Sequence, residues 1–217
     1  MRFAAPRSTT QQAWEAKKVK LYGIPGSRAL RSIWAAEEVG MDYELVKTDF
    51  MAESKKPEYL AINPNGRIPT LVDGEIVLFE SMAINLYLAK KYGGDLYPRD
   101  EAGEALTNQW TIWGMTELEP IFMQMVLHKV MLPEAQRDPA RVKAAEKEIQ
   151  RPLAVLDQTL ATRDYLVGGE FSIADLNVAG ALTLANFVAY DLSSHENASR
   201  WLTSCISRPS MARAQAK

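Results

Sequence analysis

Cysteine is nearly absent from this chain of 217 residues: Cys205 stands alone, and there are two histidines, His128 and His195. A lone thiol closes no internal disulfide, which excludes a stapled secreted scaffold. Without Cys or His neighbours at ligand spacing it founds no structural zinc site either, and no metal is expected. This usage fits a reducing compartment, the cytoplasm. A charge excess is also missing, since 25 Lys and Arg face 27 Asp and Glu for a net charge of −2. Nucleic-acid binding rests on clustered, excess basic residues, so no nucleic-acid partner is expected. Long apolar runs are absent too. The longest, Val178 to Tyr190, contains Asn186 and falls short of the ~20 residues that cross a bilayer as a helix, so no membrane partner is expected. In the opening residues 1–18, the apolar stretch Phe3 to Pro6 is far below the roughly 7–15 residues of a signal peptide. Arg2, Arg7, Ser8 and Thr9 with the single acid Glu15 suit either an organellar presequence or a frayed terminus, and 1–18 is set aside as a disordered extension.

What is present changes period part-way along. From Val19 to Tyr97 strand and helix signals alternate, whereas beyond Asp100 every apolar pattern is helical. Val19 to Tyr22 reads as a strand ended by Gly23 and Pro25-Gly26, with Ser27 where a helix cap belongs. Leu30, Ile33 and Trp34 share one helical face, Gly40 supplies a left-handed stop, and Tyr43 to Lys47 forms a second strand parallel to the first. A weaker helix over Ser54 to Ala61 ends at the turn cluster Asn63-Pro64-Asn65-Gly66. Thr70 to Val72 and Glu75 to Leu78 make a hairpin about Asp73-Gly74, expected as type I′. A helix from Ser81 to Tyr92 stops at Gly93-Gly94. The order βαβ, a loop helix, then ββα describes a thioredoxin-like domain over 19–97, of α/β class, joined by a linker at 98–103 to an all-α domain at 104–217. In that second domain Leu106, Trp110, Trp113 and Leu118 begin a long segment reaching Met131. Pro139 to Thr162 is a helix with Val142, Ile149, Leu153, Leu156 and Leu160 inward. Phe171-Ser172-Ile173-Ala174-Asp175-Leu176 then opens a buried helix, with Ser172 and Asp175 spaced as a capping box and Phe171 as a staple on Leu176.

Three places could carry chemistry, and each has a plainer reading. Ser27 lies at a strand-to-helix junction, where free N–H groups and the helix dipole favour negative charge, yet serine there is also an ordinary cap. Pro69 enters an edge strand: a cis Ile68-Pro69 bond turns the Ile68 amide and carbonyl toward a ligand, a trans one merely starts the strand. Glu80-Ser81 opens a helix, so Ser81 and neighbouring N–H groups suit a carboxylate and Glu80 an amine, or Ser81 simply caps. A thioredoxin-like sheet brings all three to one edge.

With LYGIPGSRALRS, NPNGRIPTLVDG, FESMAINLYLAKKYG and FSIADLNVAGAL in this order, the chain resembles a cytosolic glutathione S-transferase of the bacterial or theta/delta-like kind, from Val19 to about Pro209. The resemblance implies glutathione as cofactor, with Ser27 stabilising its thiolate, Ile68 before cis Pro69 pairing with the tripeptide backbone, and Glu80 with Ser81 holding the γ-glutamyl end. Gly66 stands where such proteins often have a carboxylate-binding histidine and Met82 where an arginine is common, which leaves Arg67 for the glycine carboxylate. Arg28 occupies the position of a reactive cysteine in a related class. Tyr22, at the end of the first strand, is the rival thiol activator. Ile24, Trp113, Met115 and Phe122 are the expected wall for a small, mostly apolar electrophile, and a homodimer is expected through the helices starting at Ser81 and near Asp100. Conjugation is the expected reaction. Peroxide reduction, dehalogenation, ether cleavage or isomerisation on the same cofactor are alternatives, as is a non-catalytic protein-binding module. His128, His195 and Cys205 are read as structural.

Overall fold

The structure, a computed structural model, describes residues 18–217; of the extension at 1–18, all but Lys18 lies outside the described residues. Strand β1 (Val19–Gly23) leads into α1 (Ala29–Glu38) and returns in β2 (Tyr43–Lys47), parallel to β1 with Val19 opposite Tyr43. β3 (Thr70–Asp73) runs antiparallel to β1, and β4 (Ile76–Phe79) antiparallel to β3, so the sheet order is β2-β1-β3-β4. The alternation of β1 puts fully buried Leu21 toward α1, while Tyr22 on the opposite face meets Tyr59 edge-on at 5.8 Å. This is the mixed sheet expected of a thioredoxin-like domain.

Two local features differ from expectation. Asp73 pairs with Ile76, so the hairpin loop is Gly74-Glu75, and of the two only Gly74 has a positive φ, 63°. A type I′ turn needs two left-handed residues; glycine in the first position alone satisfies the glycine-first turn instead. The helix expected from Ser54 to Ala61 is split into a 3-10 turn, Glu53–Lys55, and α2 (Pro57–Leu60). Lys56 between them is extended, at φ −70° and ψ 147°, because a residue before proline is driven out of the helical region.

After α3 (Ser81–Tyr92) the connection is short, since α4 (Glu101–Trp113) begins inside the expected linker, capped by Asp100 accepting from the Gly103 amide at 2.9 Å. α4 continues through a π-helical turn, Gly114–Leu118, into α5 (Glu119–Val126) and a second π turn, Leu127–Met131. The path is the long one expected, with Trp110 and Leu118 buried as expected, but Leu106 is exposed and Thr107 and Thr111 are buried beside them. Thr111 accepts a hydrogen bond at 3.0 Å from Asn177, while the buried Thr107 hydroxyl has no hydrogen-bond partner among the described residues.

The expected helix Pro139 to Thr162 is two helices, α6 (Pro139–Glu148) and α7 (Gln150–Leu160), jointed at Ile149. Ile149, Leu153, Leu156 and Leu160 are fully buried as expected, while Val142 is half-buried. α8 (Ile173–Phe187) is buried from Ile173 through Leu182. Asp175 accepts from the Ser172 amide and hydroxyl, the Leu166 amide and the Trp201 indole at 2.8–3.0 Å, which ties the start of α8 to α9 (Glu196–Ile206). Phe171 packs against Trp34 and Tyr165. Cys205 is fully buried, and burial pushes its thiol well above the usual range. His128 accepts from the Asp138 amide at 3.2 Å, and His195 meets the Ser194 hydroxyl at 3.1 Å.

α10 (Pro209–Gln215) returns to the first domain and packs on α1. Arg208 forks onto Glu38 at 2.5–3.2 Å, Ser210 donates to the same carboxylate, and Arg213 reaches Glu37 at 3.0 Å. Desolvation works to raise both carboxyls, yet Arg208 and Ser210 hold Glu38, and Lys217, Tyr43 and Arg213 hold Glu37, below the ordinary value of 4.5. A depressed carboxyl binds fewer protons folded than unfolded, so the stability it adds is present above the unfolded value and is lost as pH falls through the folded one. Urea midpoints are therefore expected to drop as pH falls below about 5, and Glu38→Gln to flatten that slope. An unaltered slope in Glu38→Gln would remove this role.

Candidate functional site

Segment 63–70 is clasped from below. The Tyr59 hydroxyl and the Asn63 amide both reach the Arg67 carbonyl and the Thr70 hydroxyl, at 2.6–2.9 Å. The Ile68-Pro69 bond is cis, and among the described residues the Ile68 amide and carbonyl have no hydrogen-bond partner. Two free peptide groups at a strand entry form a docking edge for another peptide backbone. Glu80 follows β4 with φ +70°, a strained conformation for a residue with a Cβ, and it places its exposed carboxylate at the rim while α3 begins at Ser81. No side chain caps α3, so the first-turn amides of this twelve-residue helix are free beside the Ser81 hydroxyl.

These corners share one cleft of about 230 Å³ between the domains. Arg67, Ile68, Pro69, Glu80 and Ser81 all line it, so five of the expected residues are brought together. The opposite wall comes from Met115, in the π turn between α4 and α5, and from Arg28 and Glu119. Ser27 and Tyr22 lie off the lining. The Ser27 hydroxyl accepts from the Ala29 amide at 3.1 Å and donates to the Ile24 carbonyl at 2.8 Å, so it caps α1 and has one lone pair to spare. Arg28, directly after it, enters the cleft.

Two family models match the chain: the glutathione S-transferase N-terminal domain over residues 17–90 and the C-terminal domain over 118–209. Glutathione S-transferase 3 of Zea mays is 38% identical over 168 residues, 74% of this chain and 75% of the relative. The chain belongs to the glutathione S-transferase family. Glutathione S-transferase F11 of Arabidopsis thaliana is 32% identical over 88% of this chain and 94% of its own. Among solved structures, the theta class glutathione S-transferase of Xanthomonas axonopodis pv. citri with glutathione bound superposes with a TM-score of 0.84, at 32% identity over 92% of this chain and 97% of that one.

Set against other glutathione S-transferase expectations, the electrophile wall needs correction. Phe122 is fully buried and packs edge-on against Tyr190 at 5.6 Å, so it belongs to the core and cannot touch a ligand in the cleft. Trp113 packs on Trp110 at 5.1 Å, and neither it nor Ile24 lines the cleft. Of the four, Met115 alone lines the cleft. The wall that replaces them is charged, and the sequence reading missed it. Glu119 is 3% exposed and is gripped by Arg28 through Nε and by Arg31 through Nη1. Arg31, equally buried, also donates from Nε to the Gly180 carbonyl at 3.0 Å. Burial pulls the Arg31 guanidinium below its usual range, and the adjacent Glu119 carboxylate opposes that shift. Among the described residues no helix is long and apolar enough to cross a membrane, and no group of three His, Cys, Asp or Glu could hold a metal ion.

Proposed function

We propose that the cleft binds glutathione and that the chain transfers its thiolate to a small electrophile. The observation that carries this reading is the convergence of Arg67, the unpaired Ile68 backbone, Glu80 and Ser81 on one cleft. Each suits a different part of the tripeptide. The uncapped start of α3 and the Ser81 hydroxyl take the γ-glutamyl carboxylate, Glu80 takes its ammonium, Ile68 pairs with the cysteinyl backbone and Arg67 takes the glycine carboxylate. Ser27 acts on the sulfur. Its hydroxyl proton leaves the Ile24 carbonyl by rotation about one bond and points at the thiolate, beside the positive end of α1. The thiol proton goes to water, the carbon–sulfur bond forms, and the leaving group departs with the electron pair of the bond that breaks. We place the chain with serine-type, theta-like members, as a cytoplasmic homodimer joined through α3 and α4.

Calorimetric titration with glutathione tests the site. Ser81→Ala removes one hydrogen bond to a charged group, worth about 1.5–3 kcal/mol, so its dissociation constant is expected to rise roughly ten- to a hundredfold. Unchanged affinity would end this assignment of α3. Tight binding without turnover across a broad electrophile panel would favour a protein-binding module over an enzyme.

A further inference from the structure

We infer that Arg28 is a specificity residue that selects electrophiles carrying an anionic group, a carboxylate above all; this rests on the glutathione reading of the cleft. Arg28 sits in the first wall of the cleft by sequence but is fastened to the second. Its Nε donates to Glu119 at the start of α5, which holds the guanidinium against the helical domain and away from the Ile68 edge. The side chain remains about half exposed, and its two terminal nitrogens have no partner among the described residues. They present a planar fork suited to one carboxylate.

The charges around it leave that fork uncommitted. Glu119 is a single carboxylate shared by two guanidinium groups, so the trio of Arg28, Arg31 and Glu119 keeps a net positive charge at the cleft. Glutathione does not use it up. Arg67 and the start of α3 take its two carboxylates, and Glu80 takes its ammonium, which leaves Arg28 as the unanswered cation of the lining among the described residues. Arg31 is buried, with Nη1 on Glu119 and Nε on the Gly180 carbonyl. Met115, a soft, polarisable thioether 3.9 Å from Arg31 Nη1, lines the same cleft as Arg28, and Trp113 and Phe122 do not line it. A cation next to a thioether fits a compact electrophile with an acidic end and a soft body. Met115 and Glu119, four residues apart, share one face of the helical path and so both line the cleft.

The test compares two activated aryl chlorides, 4-chloro-3-nitrobenzoate and its methyl ester. In both, the glutathione thiolate attacks the carbon bearing chlorine, the carbon–sulfur bond forms, and chloride leaves with the bonding pair. The readout is the ratio of kcat/KM for acid over ester, so intrinsic reactivity cancels between proteins. Arg28→Gln is expected to lower that ratio about ten- to a hundredfold, chiefly through KM for the acid. Arg28→Lys, which keeps the charge but not the fork, is expected to fall between. Glutathione calorimetry on each variant accompanies the assay and reports that the cleft is intact. A ratio that neither variant moves, with glutathione still bound, overturns this inference alone. No binding of glutathione to the unaltered protein overturns the site reading and this inference with it.

Discussion

Replacing Glu119 by Gln is expected to lower the free energy of unfolding by about 3–5 kcal/mol. Glu119 is 3% exposed and stands between two guanidinium groups, one of them equally buried. Taking its charge away leaves Arg31, 3% exposed, as an uncompensated cation at the junction of α1, α5 and α8, where little water reaches to solvate it. Gln keeps the size of the side chain, so the loss measures charge rather than a cavity. The two arginines provide the internal control. Arg31→Gln leaves Glu119 still held by Arg28 and should cost less than Glu119→Gln. Arg28→Gln removes only the half-exposed partner, whose contribution falls in the range of about 0–1 kcal/mol. Urea unfolding followed by far-ultraviolet circular dichroism measures all three. Equal midpoints for the unaltered protein and Glu119→Gln would show that this buried group carries no stabilising charge interaction.

The second large effect concerns the reaction. Ser27→Ala is expected to reduce kcat by about 10²–10³, the usual consequence of removing one donor aimed at a developing or persisting anion. The accompanying sign is fixed: with the donor gone, the thiol of bound glutathione titrates at higher pH, so the thiolate ultraviolet band appears later in a pH titration of the complex. Tyr22 spends its ring on Tyr59, on the face of β1 opposite to Leu21, and is not at the start of α1, so Tyr22→Phe is expected to leave that titration in place. If Tyr22→Phe shifts it and Ser27→Ala does not, the two residues exchange roles. Ser27 also caps α1 by accepting from Ala29, so its replacement costs roughly 0.5–2 kcal/mol of stability as well. The kinetic comparison therefore belongs well below the unfolding midpoint of the variant.

Much of this arrangement was legible from local chemistry. The shift from alternating strand and helix to helix alone marks the domains because side-chain period is set by backbone geometry within a few residues. The Asn63 to Gly66 turn, Ile68-Pro69 and Glu80-Ser81 announce themselves for the same reason: each depends on what one or two residues permit the backbone to do. The misreadings are of another kind. Leu106 and Thr107 are neighbours on a helix, yet Leu106 is exposed and Thr107 buried, and one turn further on Thr111 is met by Asn177 of α8. Phe122 has the right type and spacing for a ligand wall, but Tyr190 occupies the space beside it. Trp113 likewise spends its ring on Trp110.

By itself, then, the order of residues determined the two kinds of domain, the turns between their elements and the backbone corners at Ile68-Pro69 and Glu80-Ser81 that line the cleft, since all of these follow from torsional preferences and short-range capping. Only the tertiary structure decided what faces those corners. Arg28 and Glu119 are 91 residues apart, and α10 finds Glu37 and Glu38 across some 170 residues. No local pattern encodes such a pair, because a charged side chain on a helix reads the same whether it meets solvent or a buried counter-charge. The difference is made by which surfaces the packed core presses together and how much water that packing excludes.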